Sequence, residues 1–291
     1  MPAPLPSSDH GPPLKWGTES LWGELEPLLP GLSVEVMAHA DSTNTQLLQR
    51  FGSGGAALER GALPGRRVGD SQPCLLVAEH QSAGRGRMGR GWQSQAGASL
   101  TFSLATPLAP ADWSGLSLAV GVALAEALEP GDADSPLIGL KWPNDLWFDE
   151  RKLGGVLIET ASVGTSRIAV IGVGLNVWPL DAPAMTSGHA SVSEFDPRAS
   201  APGVLAKVAK PLVVALREFE RAGFAAFRER FSARDVLCGR QVRSGAIEGT
   251  ALGVSSTGGL EVETRSGVQR IISNEVSVRL AEWPDSTRSG L

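Results

Sequence analysis

Residues 84–107 read "GRGRMGRGWQSQAGASLTFSLATP", and the residues after the glycines in this stretch decide the fold. Gly84, Gly86 and Gly89 satisfy G-x-G-x-x-G, the spacing of a dinucleotide-binding fingerprint. That fingerprint needs a helix directly after its glycines, because the pyrophosphate rests on the helix N-terminus. Here the chain continues into "ASLTFSLAT", which alternates like a strand, so a Rossmann reading fails. A kinase glycine loop fails as well, since no H-R-D or D-F-G accompanies it, and the chain contains no G-x-x-x-x-G-K-[ST]. What remains is a glycine-rich loop that holds Arg85, Arg87 and Arg90 ahead of Trp92. Guanidinium groups give planar, permanently charged, bidentate contacts to anions. A solvated basic turn is the plainer reading of the same residues.

The chain has 291 residues, 42% hydrophobic and 20% charged, which suits a large globular domain with a smaller companion. Its net charge of −5 gives no general reason to expect a nucleic-acid partner, so the arginines are a local feature in an acidic protein. A local cluster points to a small anionic ligand. Cys74 and Cys238 form no C-x-x-C, which suggests neither a disulfide framework nor a zinc site and suits the cytoplasm. No apolar run approaches membrane-spanning length, and no membrane partner is expected. The Pro-rich start lacks the apolar core of a signal peptide.

Outward from the loop, periodicity predicts an α+β chain. "SVEVMAH" and "CLLVAEH" read as strands, with a short helix at "STNTQLLQRF" capped by Asp41 or Ser42. "LSLAVGVALAEALE" reads as a buried helix; "LIGLKWP", "GGVLIETAS" and "RIAVIGVGLNV" read as strands. Residues 201–231 are predicted helical, with a break at Pro211. Beyond Cys238, short strands with glycine turns predict a small β-barrel. The expected organisation is a largely disordered Pro-rich leader (1–32), a larger α+β domain (33–235), the barrel (236–283) and a tail (284–291). A glycine-rich insertion at 52–73 carries no recognisable motif.

Four short motifs then matter together. "DSTN" (41–44) opens a helix, and capping explains it by itself. "LKWPNDL" (140–146) is ordinary turn chemistry, yet Lys141 and Asp145 flank the turn and can reach a ligand. "RKLGGVLIE" (151–159) sets Lys152 before two glycines that permit close approach to the next strand. "IGVGLNV" (171–177) interrupts a central strand with Gly172 and Gly174, which a β-bulge would also explain.

In order and spacing these motifs, with "EHQSAGRGRMGRGW" (79–92), closely resemble the biotin protein ligase family, from about residue 33 to 280. The resemblance implies a mixed β-sheet with flanking helices, related to class II aminoacyl-tRNA synthetases, followed by an SH3-like barrel. It implies an enzyme that joins biotin to ATP as biotinyl-5′-AMP and passes the biotinyl group to a lysine of a biotin carboxyl carrier protein, an acetyl-CoA carboxylase subunit.

The family pattern also implies roles. Ser42, Thr43, Asn44 and Gln81 match positions that hydrogen-bond the biotin head, whose ureido ring offers donors and acceptors. Gly84, Arg85, Gly86 and Arg87 belong to the biotin-binding loop, and Gly155 and Gly172 to the wall beside biotin. Arg87, Arg90, Trp92, Asn144, Asp145, Lys152 and Asn176 match nucleotide-side positions. Lys152 is the catalytic lysine, with Arg87 retaining the intermediate and Asp145 receiving the incoming amine. Magnesium is expected to arrive with ATP near Asp145, with no metal fixed by the protein alone. Met88 occupies a variable loop position, and Gly154 stands where alanine is common. A homodimer built by sheet extension is usual for the family, and no DNA-binding domain is expected within the residues ahead of the first strand. Lipoate ligases, which share the fold and the adenylate chemistry, and a non-enzymatic binding module are the rival readings.

Overall fold

The computed structural model describes residues 14–52, 71–129, 135–180, 188–272 and 279–280. Most of the insertion at 52–73, the start of the leader and the tail 284–291 lie outside them.

Apolar runs and alternating runs give way to elements much as their periods require. The chain forms α1 (Thr18–Leu25), β1 (Ser33–Ala40), α2 (Thr43–Gly52), β2 (Cys74–Gln81), β3 (Gly84–Arg85) and β4 (Gly91–Trp92). Then come β5 (Ser99–Pro107), α3 (Leu116–Leu128), β6 (Gly139–Lys141), β7 (Asp145–Phe148), β8 (Arg151–Val163) and β9 (Ser166–Asn176). Seven strands make one mixed sheet in the order β1-β2-β5-β9-β8-β7-β6. The β1–β2 pair is parallel, as a connection through α2 requires, and the other pairs are antiparallel.

The period of two divides each central strand between two cores. Leu75, Val77, Phe102, Leu104, Ile171 and Val173 join the large core that includes α3. Leu76, Ile168 and Val170 turn to the other face, beneath Leu47 and Phe51 of α2. Past position 170 that second face changes character: apolar residues give way to glycine, serine and threonine, and the site lies there.

Two expectations are corrected. Helix α4 (Ala201–Ala222) runs straight through Pro211, and the interruption falls at Gly223, before α5 (Arg228–Ser232). Proline removes one backbone donor, but Val208, Leu212, Ala215 and Phe219 keep the apolar face packed on both sides of it. Gly223, at φ 64° and ψ −167°, takes an extended positive-φ conformation open to glycine, and the helix ends there. The leader, expected as disordered over 1–32, is structured from residue 14: Trp16, Leu21, Leu25, Leu29 and Leu32 are buried in the large core. Leu21, Leu25 and Leu29 recur every four residues, a helical stripe that outweighs the surrounding prolines.

The C-terminal unit is a five-stranded antiparallel sheet of β10 (Gln241–Ser244), β11 (Ile247–Val254), β12 (Leu260–Thr264), β13 (Gly267–Ile271) and β14 (Arg279–Leu280), ordered β13-β12-β11-β10-β14. Val242, Ala251, Leu260, Val262 and Ile271 point inward and belong to the same core as α3. The Trp142 indole N–H, buried in the β6–β7 turn, donates to Gly258 O at 2.9 Å. The barrel is thereby anchored to the turn that carries Asn144 and Asp145.

Candidate active site

A row of small residues crosses the sheet beside the N-terminal end of α2. Thr101 of β5 pairs with Gly174 of β9, Gly174 with Gly155 of β8, and Gly155 with Asp145 of β7. One step along, Ser103 pairs with Gly172, and Gly172 with Leu157. No bulge interrupts β8–β9 here, so the glycines are present for what lies over them. A methyl group at 172 would stand 2.3 Å from Asn44 Oδ1, and one at 174 would stand 2.5 Å from the Trp92 ring. The floor of the site is therefore flat because two side chains descend onto it.

At one end, "DSTN" supplies the start of α2. Asp41 Oδ1 accepts from Ser42 N at 2.6 Å and from Gln46 Nε2 at 2.8 Å, which fixes the entry to the helix. Ser42, Thr43, Asn44 and Gln81 are all buried. Gln81 Oε1 accepts from Thr43 N at 2.7 Å, and Ser103 Oγ reaches Thr43 Oγ1 at 2.7 Å and Asn44 Oδ1 at 2.6 Å. The Asn44 amide donates to Glu159 Oε2 at 2.9 Å and to Leu157 O at 3.3 Å. These hydroxyls and amides form a pre-set array of donors and acceptors on elements far apart in sequence.

The arginine loop folds as a small hairpin over this floor. Gly84 pairs with Trp92 and Arg85 with Gly91, while Gly86 N donates to Arg90 O at 2.7 Å to close the tip. Met88 and Gly89 adopt φ of 56° and 71°, the left-handed conformation of a tight turn. Arg85 forms a fork with Glu159, 3.0 and 3.3 Å long, whereas Arg87 is half-buried and Arg90 is exposed at the tip. Burial pulls the Arg87 guanidinium below its ordinary pKa; nearby Asp145 opposes that and Arg90 adds to it. A guanidinium still keeps its proton at neutral pH, so a half-buried cation faces the floor's far end.

That far end holds Lys152 and Asp145. Lys152 Nζ donates to Asp145 Oδ1 at 2.8 Å and lies 5.9 Å from the Trp92 ring centre. Gly155 sits directly beneath, its Cβ position 3.3 Å from Asp145 Oδ1 and 3.4 Å from Lys152 Nζ. Asn144 and Asn176 bind backbone carbonyls: Asn144 Nδ2 donates to Val156 O, and Asn176 Nδ2 to Lys152 O and Ala190 O. Trp92 Nε1 is buried with no hydrogen-bond partner among the described residues. His189 lies alongside Lys152, and burial, with the lysine's charge, holds its pKa below the usual histidine value.

The residues singled out in the sequence thus converge, from Ser42 to Asn176, on one trough. Gly154, with its Cβ position 2.5 Å from Leu175 Cδ2 and 2.6 Å from Gly174 O, has no room for a methyl group as the neighbours stand. Sequence reading missed Ser103, Glu159 and His189. The alternating Ser99, Thr101 and Ser103, polar yet wholly buried, were the one available signal for the first. Among the described residues no three His, Cys, Asp or Glu side chains gather as a metal cage.

Residues 70–176 match the biotin/lipoate A/B protein ligase family, and 238–279 match the biotin protein ligase C-terminal domain. The chain is 34% identical over 263 residues to the bifunctional ligase/repressor BirA of Escherichia coli, covering 87% of this chain and 76% of that protein. It is 39% identical over 148 residues to the biotin–[acetyl-CoA-carboxylase] ligase of Mycobacterium tuberculosis, about half of each chain. Its fold superposes on the Aquifex aeolicus biotin protein ligase solved with biotin and ATP at a TM-score of 0.66 and 30% identity, covering 87% of this chain and all of that one. With both family models matched in order along the chain and a 34% identical relative covered over 76% of its length, the chain belongs to the biotin protein ligase family.

Proposed function

We propose that this chain activates biotin with ATP and transfers it to a lysine of a carboxylase carrier domain. The observation that carries this is the trough itself: hydrogen-bonding groups at one end, a lysine–carboxylate pair at the other, and an arginine hairpin across the top. In the first step a biotin carboxylate oxygen attacks the α-phosphorus of ATP, and the bond to the pyrophosphate oxygen breaks. Both reactants are anions, so their approach needs positive charge between them.

Ser42, Thr43, Asn44 and Gln81 bind the ureido ring, and Gly155 and Gly172 form the wall along biotin's body. Lys152 bridges carboxylate and α-phosphate, where a compact cation stabilises the crowded phosphorus of the transition state. Arg87 and Arg90 hold phosphate oxygens, and Asn144 and Asn176 shape the nucleotide side. The unpartnered Trp92 indole N–H supports a place for that ring against the bound intermediate. A hairpin closing over the trough keeps water from the mixed anhydride. In the second step the carrier amine, losing its proton toward Asp145, attacks the acyl carbon, and AMP leaves.

Magnesium belongs to this reading as a companion of the triphosphate. Asp145 is the carboxylate at the reacting end and suits it. The ion would supply charge neutralisation on the phosphates. Residues 33–235 carry the chemistry and 236–283 contribute to docking. An acidic net charge supports a reading without DNA as partner. Two cysteines that form no disulfide support a cytoplasmic setting. The edge strand β1 offers itself to sheet extension in a homodimer. No helix among the described residues is long and apolar enough to cross a membrane.

The test is incubation of the purified chain with biotin, ATP and a recombinant biotin carboxyl carrier domain. A mass gain of one biotinyl group, lost when the carrier's target lysine is replaced, is expected. An unmodified carrier beside an active control ligase would reject the reading.

A further inference from the structure

Glu159 ends the "RKLGGVLIE" motif and has no role in the proposed reaction, yet it joins two parts of the site. Its carboxylate forks Arg85 of the hairpin at 3.0 and 3.3 Å, and the same Oε2 accepts from the Asn44 amide at 2.9 Å. These partners lie 74 and 115 residues away in sequence, one on the arginine loop and one at the start of α2. β8 brings Glu159 onto the same face as Gly155 and Leu157, two and one alternations away. Its side chain is only 23% exposed, against 46% for Arg85, so the carboxylate is the more enclosed half of the pair.

From this we infer that Glu159 is a positioning residue: it anchors the hairpin through Arg85 and orients the Asn44 amide, coupling loop closure to the biotin end of the trough. The charge arrangement supports that division. A carboxylate beside a loop built to meet anions is unfavourable unless it is neutralised, and Arg85 neutralises it through a two-bonded fork. Arg85 is then an anchor of the hairpin. On the Asn44 side, Ser103 Oγ on Oδ1 and Glu159 on Nδ2 allow one amide orientation only. An ordinary surface ion pair would touch one segment of the site, whereas this one ties two together.

The inference rests on the biotin reading, and the experiment separates them. Full-length protein, Glu159→Gln, Arg85→Ala and the double variant are compared by biotin calorimetry, KM for ATP and the lifetime of the enzyme-held adenylate. Glutamine keeps an acceptor for Asn44 but sets its amide against the guanidinium, so it breaks the fork selectively. Glu159→Gln is expected to weaken biotin binding and shorten adenylate retention by about five- to tenfold, the scale of one partly exposed charge-assisted contact. KM for ATP is expected to stay within about twofold, and the double variant to be no worse than the worse single one, as coupled residues behave. A Glu159→Gln protein that melts earlier but keeps biotin affinity and adenylate lifetime would overturn the positioning role. Equal weakening of biotin and ATP would overturn it too. Unaltered protein that binds no biotin would instead bring down the underlying reading.

Discussion

Replacing Gly172 with alanine tests whether the glycine floor exists for what lies over it. The added carbon would stand 2.3 Å from Asn44 Oδ1, 2.9 Å from its Cγ and 3.1 Å from its Nδ2, all below ordinary contact. The amide must withdraw by about 1 Å to restore van der Waals separation. It is held on both sides, at 2.6 Å by Ser103 Oγ and at 2.9 and 3.3 Å by Glu159 Oε2 and Leu157 O, so withdrawal stretches or breaks all three bonds. At about 1 kcal/mol net for each, the loss is about 3 kcal/mol. Ser103 is fully buried but keeps Thr43 Oγ1 as a partner at 2.7 Å, so that figure is an upper one. That loss falls on the stability of the fold; if the displaced amide is the one that meets biotin, affinity falls separately, by about five- to tenfold for the hydrogen bond no longer made. Calorimetry with biotin measures this, after a cooperative melt shows that the variant is folded. Gly23→Ala is the control: this helical glycine has nothing within 4 Å of its Cβ position, so that variant should bind normally and gain about 0.5–1 kcal/mol of stability. A folded Gly172→Ala protein with unchanged biotin affinity would refute the reasoning.

Other outcomes concern the far end of the trough and the junction with the barrel. Lys152→Gln removes the cation bonded to Asp145, and single-turnover adenylate formation should drop at least about a hundredfold with a smaller loss of biotin binding; near-normal turnover would reject the assignment. Arg87→Gly should still make adenylate but release it, seen as biotinylation of bystander proteins, whereas labelling confined to the carrier would show that Arg87 retains nothing. Asp235 lies beside β6, where the chain passes from α5 to the barrel, with Oδ2 unpartnered among the described residues, and burial raises its pKa from 3.8 to about 6. The folded chain then holds more protons than the unfolded one between those values, so stability declines as pH rises through about 4 to 6 and stays lower above. The shift corresponds to at most about 3 kcal/mol, so Asp235→Asn should raise Tm by a few degrees at pH 7.5 and less at pH 5. An equal gain at both would exclude ionisation as the cause.

Much of this site was legible because its signals are local. A helix opening on "DSTN", glycines where a strand cannot want them, and a lysine before two more glycines each depart from what a plain element would carry. The structure explains the glycines as room for a neighbour, and the others by the bonds they make. Ser103 and Glu159 stayed hidden because their meaning lies in partners 59, 74 and 115 residues away, and neither residue type is unusual in a strand. In the fold, helix α1 was missed because Gly17, Gly23 and nearby prolines obscured the four-residue spacing of Leu21, Leu25 and Leu29. At Pro211 the opposite error arose: one missing donor was given more weight than a long, well-packed apolar face.

The central claim is that this trough joins biotin to the α-phosphate of ATP, and isotope exchange between pyrophosphate and ATP tests it most directly, without a carrier protein. The purified chain should show exchange that requires biotin, saturates with it and is lost in Lys152→Gln. Exchange that proceeds with lipoate and not with biotin, or no exchange with either acid from a folded protein, would contradict the account.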